Sequence, residues 1–342
     1  MYLQSLASAF PDRSLTQREA WELLDANAAS TTLSRRGLKL VRAILCGASG
    51  VETRRYAIPP EELFQMDAEA LNNAFEREAP RLASAALDKA CREAKVATSE
   101  IDALLICTCS GYLCPGVSSH VAEQSGLRGD VFLNDLTGLG CGAAIPTLRS
   151  ASGFAAQHPD ALIATVAVEV CTAAFYLDDD TGVLVSACLF GDGASAALWR
   201  GRDGGNQWKV GNFHSLHRPE EREKIRFVNA GGRLRNQLHR DLPGVVAEAV
   251  AELYVQRSAD PDQVISHSGG RDVITAIESR LTSYRLSETQ EILRRFGNLS
   301  SPSVLLALEE RLAGDHEDQL LWMTAFGAGF AAHSCELSRG RP

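Results

Sequence analysis

No stretch of this 342-residue sequence is long and apolar enough to suggest a membrane span. The longest nearly uncharged run, Ala161 to Leu177, is broken by Glu169 and falls short of the roughly 20 residues a bilayer requires. Basic residues are in deficit, with 34 Lys and Arg against 43 Asp and Glu and a formal net charge of −9. Nucleic-acid binders neutralise phosphates with clustered cations, so that class is excluded, and an anionic ligand needs a local basic patch. Met1 to Arg13 has no basic residue ahead of its short apolar stretch and meets Pro11 and Asp12 early, unlike a secretory signal. Nine cysteines, an odd number without such a signal, suit a reduced, cytoplasmic setting. There is no G-x-G-x-x-G after a strand and no Walker lysine, so the common nucleotide-binding motifs are missing.

What is present is a globular composition, 45% hydrophobic and 23% charged, in a chain long enough for two domains or one large one. Strand and helix patterns alternate, which points to an α/β fold. Pro80 to Ala97 reads as an amphipathic helix with Pro80 at its first position, where a missing N–H costs nothing. Ile101–Cys107 and Ala161–Val170 are apolar runs suited to strands buried on both faces, and Gly142–Gln157 is a helix rich in Ala and Leu. Val131–Leu133 and Leu189–Trp199 are further strand candidates.

An internal repeat lies beneath this alternation. Ile106–Gly111 is echoed 159 positions later by Ile265–Gly270, Cys141 stands in the same relation to Ser300, and Phe190–Gly193 is echoed by Phe326–Gly329. The order predicts two related α/β halves, residues 1–203 and 204–342, joined in the polar Gly201–Gln207 stretch.

Three segments carry candidate chemistry. Gly138-Leu-Gly-Cys-Gly142 sets a cysteine between a tight glycine turn and a helix start, where the helix dipole favours the thiolate and hence a nucleophile. A lone cysteine usually just packs, but this context reverses that reading. Ser266-His-Ser-Gly-Gly270 puts His267 at a strand end, where open α/β sheets hold ligands. Phe296-Gly-Asn-Leu-Ser300 offers Asn298 either as a helix cap or as a donor to an oxyanion. Cys107, Cys109 and Cys114 have no matching Cys/His cluster nearby, so no metal is expected and core packing is the better reading.

Together these residues resemble the thiolase superfamily, most closely its type III polyketide synthase (chalcone-synthase-like) branch, through Gly138–Cys141, Leu189-Phe-Gly-Asp-Gly-Ala194, Ser266–Gly270, Phe296-Gly-Asn-Leu-Ser-Ser-Pro302 and Phe326–Gly329. The resemblance implies a five-layered αβαβα fold, a homodimer and a buried Cys141, His267 and Asn298 triad reached by a tunnel. It implies an oxyanion hole from Cys141 and the Phe326, Gly327 and Ala328 loop, and cavity positions at Phe190, Asn236, Ala174, Cys114 and Ser300, with Cys114 reaching a partner's cavity. It implies CoA contacts near Lys39 and Arg42, acyl-CoA and malonyl-CoA as substrates and no cofactor, with an acyl carrier protein as an alternative donor. Iterative condensation is the favoured activity. The alternatives are a single condensation like that of ketoacyl synthase III and a non-catalytic partner subunit. Where plant members carry Phe and Thr, Asn236 and Ala174 are smaller, so a wider cavity preferring medium or long acyl starters is expected.

Overall fold

The structure is a computed structural model that describes residues 1–202 and 208–339. Its strands are β1 (Tyr2–Ala9), β2 (Ser14–Thr16), β3 (Thr53–Arg55), β4 (Ala103–Thr108), β5 (Phe132–Thr137), β6 (Leu162–Glu169), β7 (Gly193–Arg200), β8 (Trp208–His217), β9 (Ile225–Ala230), β10 (Arg233–Leu238), β11 (Gln263–Ser266), β12 (Leu320–Gly327) and β13 (Ala331–Arg339). Nine of them form one sheet in the order β11-β12-β13-β8-β1-β7-β6-β4-β5. That sheet is two smaller ones meeting at a single pair, Tyr2 opposite Lys209. On one side β4/β6 is parallel and β6/β7 and β7/β1 are antiparallel. On the other, β11/β12 is parallel and β12/β13 and β13/β8 are antiparallel. The two patterns repeat, and β5 has no counterpart among the described residues. The expected 203/204 junction lies outside them.

Alternation along the buried strands builds the layers. Leu105 and Cys107 face an inner core that also holds the helices Ala144–Gln157 and Ser303–Ala313 and the inner face of the second sheet. Leu104 and Ile106 face an outer core made with the helix Ala68–Ala94. The second sheet's outer face packs on helices Leu242–Tyr254 and Arg271–Arg280. Helix, sheet, helix, sheet, helix is the thiolase-like αβαβα arrangement.

Pro80 does not start its helix. Asp67 does, its carboxylate accepting from the Ala70 N–H at 2.8 Å, and the apolar stripe Leu71, Ala74, Phe75 carries the helix through Pro80. A proline deprives the carbonyl four residues earlier of its donor, and here that residue is Glu76, on the exposed side where water can serve instead. The segment before β7, Thr181–Leu189, is a helix capped by Asp180, so the strand expected from Leu189 begins only at Gly193.

Candidate active site

Four chain segments converge at the C-terminal ends of strands, where an open α/β sheet exposes its backbone dipoles and loops. After β5 the chain turns through Gly138 (φ 81°) and Gly140 (φ 61°) to Cys141, which opens into the helix Ala144–Gln157. The β12–β13 loop closes over this turn. A Cβ on Gly327 would lie 2.6–2.8 Å from Gly142 N, Leu139 O and Cys141 N, and one on Gly140 would lie 2.7 Å from Ala328 N. Only glycine permits such an approach of two backbones. Phe326, Gly327 and Ala328 are thus brought against Cys141.

His267 follows β11, is 1% exposed, and its ring meets Phe326 edge-on at 5.0 Å. Its imidazole is among the groups that favour the ionised Cys141 sulfur. Gly297 (φ 74°) alone ends the helix Ser287–Phe296, leaving Asn298 free of the capping role. The Asn298 backbone is bridged to Phe190, and its side-chain oxygen accepts from the Ser300 N–H at 2.8 Å, so its amide NH2 is the remaining donor. Ser300, at φ 58°, aims its hydroxyl at Cys141 Sγ (3.2 Å), Glu169 Oε1 (3.2 Å) and Cys109 Sγ (3.2 Å). One hydroxyl proton serves one of these neighbours at a time, and the Cys109 thiol can itself donate, to Ser300 Oγ or to Glu169 Oε1 (3.3 Å).

Two residues of this cluster escaped sequence reasoning. Cys109, read as core packing, stands beside Cys141 at the end of β4. Glu169 ends β6, is fully buried, and accepts from the N–H groups of Cys109 (3.0 Å) and Ser110 (3.0 Å) and the hydroxyls of Ser110 (2.7 Å) and Ser301 (2.6 Å). The signal for Glu169 was in view, as the one charge inside an otherwise uncharged run; such a residue is kept buried only when fully hydrogen-bonded. Burial raises the Glu169 carboxyl pKa against those donors. The Cys141 thiol is held well below its ordinary range, because Cys109 donates to its thiolate and His267 and Ser300 add to this, outweighing burial. Cys109 is pushed up by that same hydrogen bond, then by burial and the neighbouring Glu169 carboxylate. Between the two sulfurs, the one beside the carboxylate keeps its proton and the one beside the imidazole loses it.

The cavity next to Cys109 and Ser300 is small. It measures about 10 Å³ and is lined by Phe175, Phe190, Phe227, Ala174 and Asn236, among others. The reason is register: Asn236 on β10 pairs with Phe227 on β9, and directly paired residues share a face, so a ring returns from the neighbouring strand. Asn236 is itself 6% exposed and tied to Ser186 Oγ at 2.8 Å.

A separate cleft of about 730 Å³ has Leu189 and Leu238 on its floor, the same residues that pack on the Cys141 cluster. Ala43 and Ile44 reach it, but Lys39 and Arg42 do not line it. Arg42 lies instead over the Trp21 ring, 5.8 Å from its centre. The cations on this cleft are Arg240 and Arg271. Cys114 is exposed, on a third hollow of about 670 Å³ that meets the small cavity at Cys109 and Phe227.

Residues 8–209 match the family model described as FAE1/Type III polyketide synthase-like protein. The chain is 29% identical over 302 residues to 1,3,6,8-tetrahydroxynaphthalene synthase of Streptomyces peucetius subsp. caesius, covering 83% of this chain and 80% of that protein. It is 26% identical over 346 residues to phloroglucinol synthase of Pseudomonas fluorescens, covering 94% and 95%. In fold it is similar to PKS-I from the brown alga Ectocarpus siliculosus, with a TM-score of 0.89 at 20% identity over 99% and 98% of the two chains.

Proposed function

This chain belongs to the FAE1/type III polyketide synthase-like family, and from that premise we propose that Cys141 is its acyl-carrying nucleophile, with His267 and Asn298 as its catalytic partners. The observation that carries the reading is a buried Cys141 sulfur at the start of a helix, 3.2 Å from the Ser300 hydroxyl, its thiol held well below the ordinary range by Cys109, His267 and Ser300. The Cys141 thiolate attacks the carbonyl of an acyl-CoA, and CoA leaves as its thiolate, giving an enzyme thioester. Malonyl-CoA then loses CO2, and the electron pair of the broken C–C bond moves onto the thioester oxygen as an enolate. His267 and the Asn298 amide donate to that oxygen, where negative charge develops. The enolate carbon attacks the Cys141-bound carbonyl, whose own oxygen is received by N–H groups of the Cys141 turn and the Phe326–Ala328 loop. Collapse of that adduct expels the Cys141 thiolate and leaves a chain longer by two carbons on CoA. Transfer back to Cys141 permits iteration and, at the end, cyclisation.

The 730 Å³ cleft is the CoA entrance in this reading, with Arg240 and Arg271 meeting phosphate. A second copy of the chain covers exposed Cys114 and its neighbour Tyr112, which is 77% exposed. The chain divides into two halves near residue 203. CoA thioesters suffice as substrates, and a cytoplasmic setting suits nine unpaired cysteines.

The test is intact-mass measurement after incubation with acyl-CoA and malonyl-CoA. Wild type gains one acyl group and forms product, and Cys141→Ala does neither. An adduct on another cysteine in the variant overturns the assignment. His267→Gln, which keeps an imperfect donor, should lose roughly 10²–10³ in condensation rate, the cost of one oxyanion donor.

A further inference from the structure

Cys109 and Cys141 meet because β4 and β5 are neighbouring parallel strands: Cys109 follows the end of the first, and Cys141 follows the glycine turn after the second. Both sulfurs touch one oxygen, that of the Ser300 hydroxyl, at 3.2 Å each. Cys109 Sγ also stands 3.3 Å from Glu169 Oε1, which is itself 3.2 Å from the same hydroxyl. As a donor to a thiolate, a thiol is weaker than a hydroxyl, so condensation alone gives no reason for sulfur at position 109. What a second thiol adds is redox chemistry. A thiolate with another thiol against it is the pair that two-electron oxidants turn into a disulfide. Cys109 is partly exposed and borders the hollow of about 670 Å³, a way in for a solute as small as hydrogen peroxide.

We infer that Cys109 and Cys141 are a modification site for hydroperoxides, which convert them to a reversible disulfide that shields the nucleophile from further oxidation. The Cys141 sulfur is the one held ionised, so it attacks the peroxide. The O–O bond breaks, hydroxide leaves and becomes water, and Cys141 becomes a sulfenic acid. Cys109 then gives its proton to Glu169, and its sulfur attacks the Cys141 sulfur. The S–S bond forms as the S–O bond breaks, and Ser300, in reach of both Glu169 and Cys141, relays a proton to the departing hydroxide. Two sulfurs are oxidised and one peroxide is reduced to two waters. The inference goes beyond the condensing activity and shares with it only the reactive sulfur of Cys141.

Reduced, desalted wild type, Cys109→Ser and Cys141→Ala are pulsed with hydrogen peroxide, blocked with iodoacetamide, digested without reductant and read by peptide mass spectrometry. Wild type should yield one peptide pair linked through Cys109 and Cys141, absent from both variants, and dithiothreitol should make Cys141 alkylatable again. Cys109→Ser keeps a donor but has no thiol to resolve the sulfenic acid, so its Cys141 should take up a second oxygen. A thiol already in place outpaces a second peroxide from solution, so dithiothreitol should restore at least about tenfold less Cys141 in this variant than in wild type. A packing role for Cys109 would give equal recovery in the two proteins. Equal recovery, no linked pair in wild type, or linkage of Cys141 to Cys171, its neighbour in the apolar cluster, overturns the inference. No reading involves an acyl-CoA, so untreated wild type that fails to acylate Cys141 overturns the proposed function and leaves the disulfide standing.

Discussion

Replacing Cys109 by Ala removes the group that does most to hold Cys141 as a thiolate, keeps His267 and Ser300 in place, and leaves the Ser300 hydroxyl to Cys141 and Glu169 alone. A hydrogen bond to a charged group contributes about 1.5–3 kcal/mol, and a thiol is a weak donor, so the lower figure applies. About 1.4 kcal/mol is tenfold in an equilibrium, so below its titration Cys141 should carry roughly tenfold less thiolate in the variant. The thiolate that remains is more basic and, with a Brønsted slope of about 0.4–0.5, about threefold more nucleophilic. Iodoacetamide should therefore alkylate Cys141 about three- to fourfold more slowly than in wild type at low pH. At high pH, where both are ionised, the variant should be about threefold faster. The two pH–rate curves cross. Cys109→Ser keeps a donor and should follow wild type. Labelling followed by peptide mass spectrometry across pH reads this directly. Curves that superimpose for Ala and wild type, or Ser behaving like Ala, would refute the hydrogen-bond argument.

Other outcomes follow from the same structure. Burial lowers His333 from 6.5 to about 4, so between those values the unfolded chain takes up a proton that the folded one refuses. Stability then falls as pH drops through that window, by on the order of 3 kcal/mol, and His333→Gln should flatten the acid limb of a denaturation series relative to wild type. Asp192, raised to about 6 by burial, works in the opposite sense but is common to both proteins and cancels in the comparison. Gly327→Ala would press a methyl onto three backbone atoms of the Cys141 turn at 2.6–2.8 Å, and should cost about 1–3 kcal/mol of stability and most of the turnover. Arg240→Ala combined with Arg271→Ala should raise KM for CoA thioesters several-fold with kcat little changed, and the gap should close at high salt as screening removes the wild-type advantage. Equal KM values in low salt would remove these residues from the entrance.

Much of this was legible in the sequence. Cys141, His267 and Asn298 stand in local contexts (glycine turn, strand end, helix end) that the chain writes out in consecutive residues. The layered cores follow from uninterrupted apolar strands such as β4 and β6. The rest depends on distance in space. Proline favours the first position of a helix, which marks Pro80 as a start, but the stripe from Leu71 onward outweighs one missing N–H at a buried proline whose orphaned carbonyl belongs to exposed Glu76. Cys109 is indistinguishable from packing cysteines until β4 and β5 are set side by side. The small size of the cavity is not legible at position 236 alone, because Phe227 is set against Asn236 by a cross-strand pairing that no local pattern reveals.

The two halves of the sheet touch at one pair of residues, Tyr2 and Lys209, while the site takes Cys141, Cys109 and Glu169 from one half and His267, Asn298 and Ser300 from the other. The acidity of Cys141 is accordingly drawn from both halves, Cys109 lying in its own and His267 and Ser300 in the other. A folding intermediate with only the first half formed would carry a thiol at position 141 without the help of His267 and Ser300, slower than in the assembled site, and one with only the second half would have no nucleophile to orient. Fast reaction at that sulfur thus times the last event of assembly, the docking of the halves across the Gly140, Gly142 and Gly327 contact, and its loss during unfolding marks the first separation of that seam.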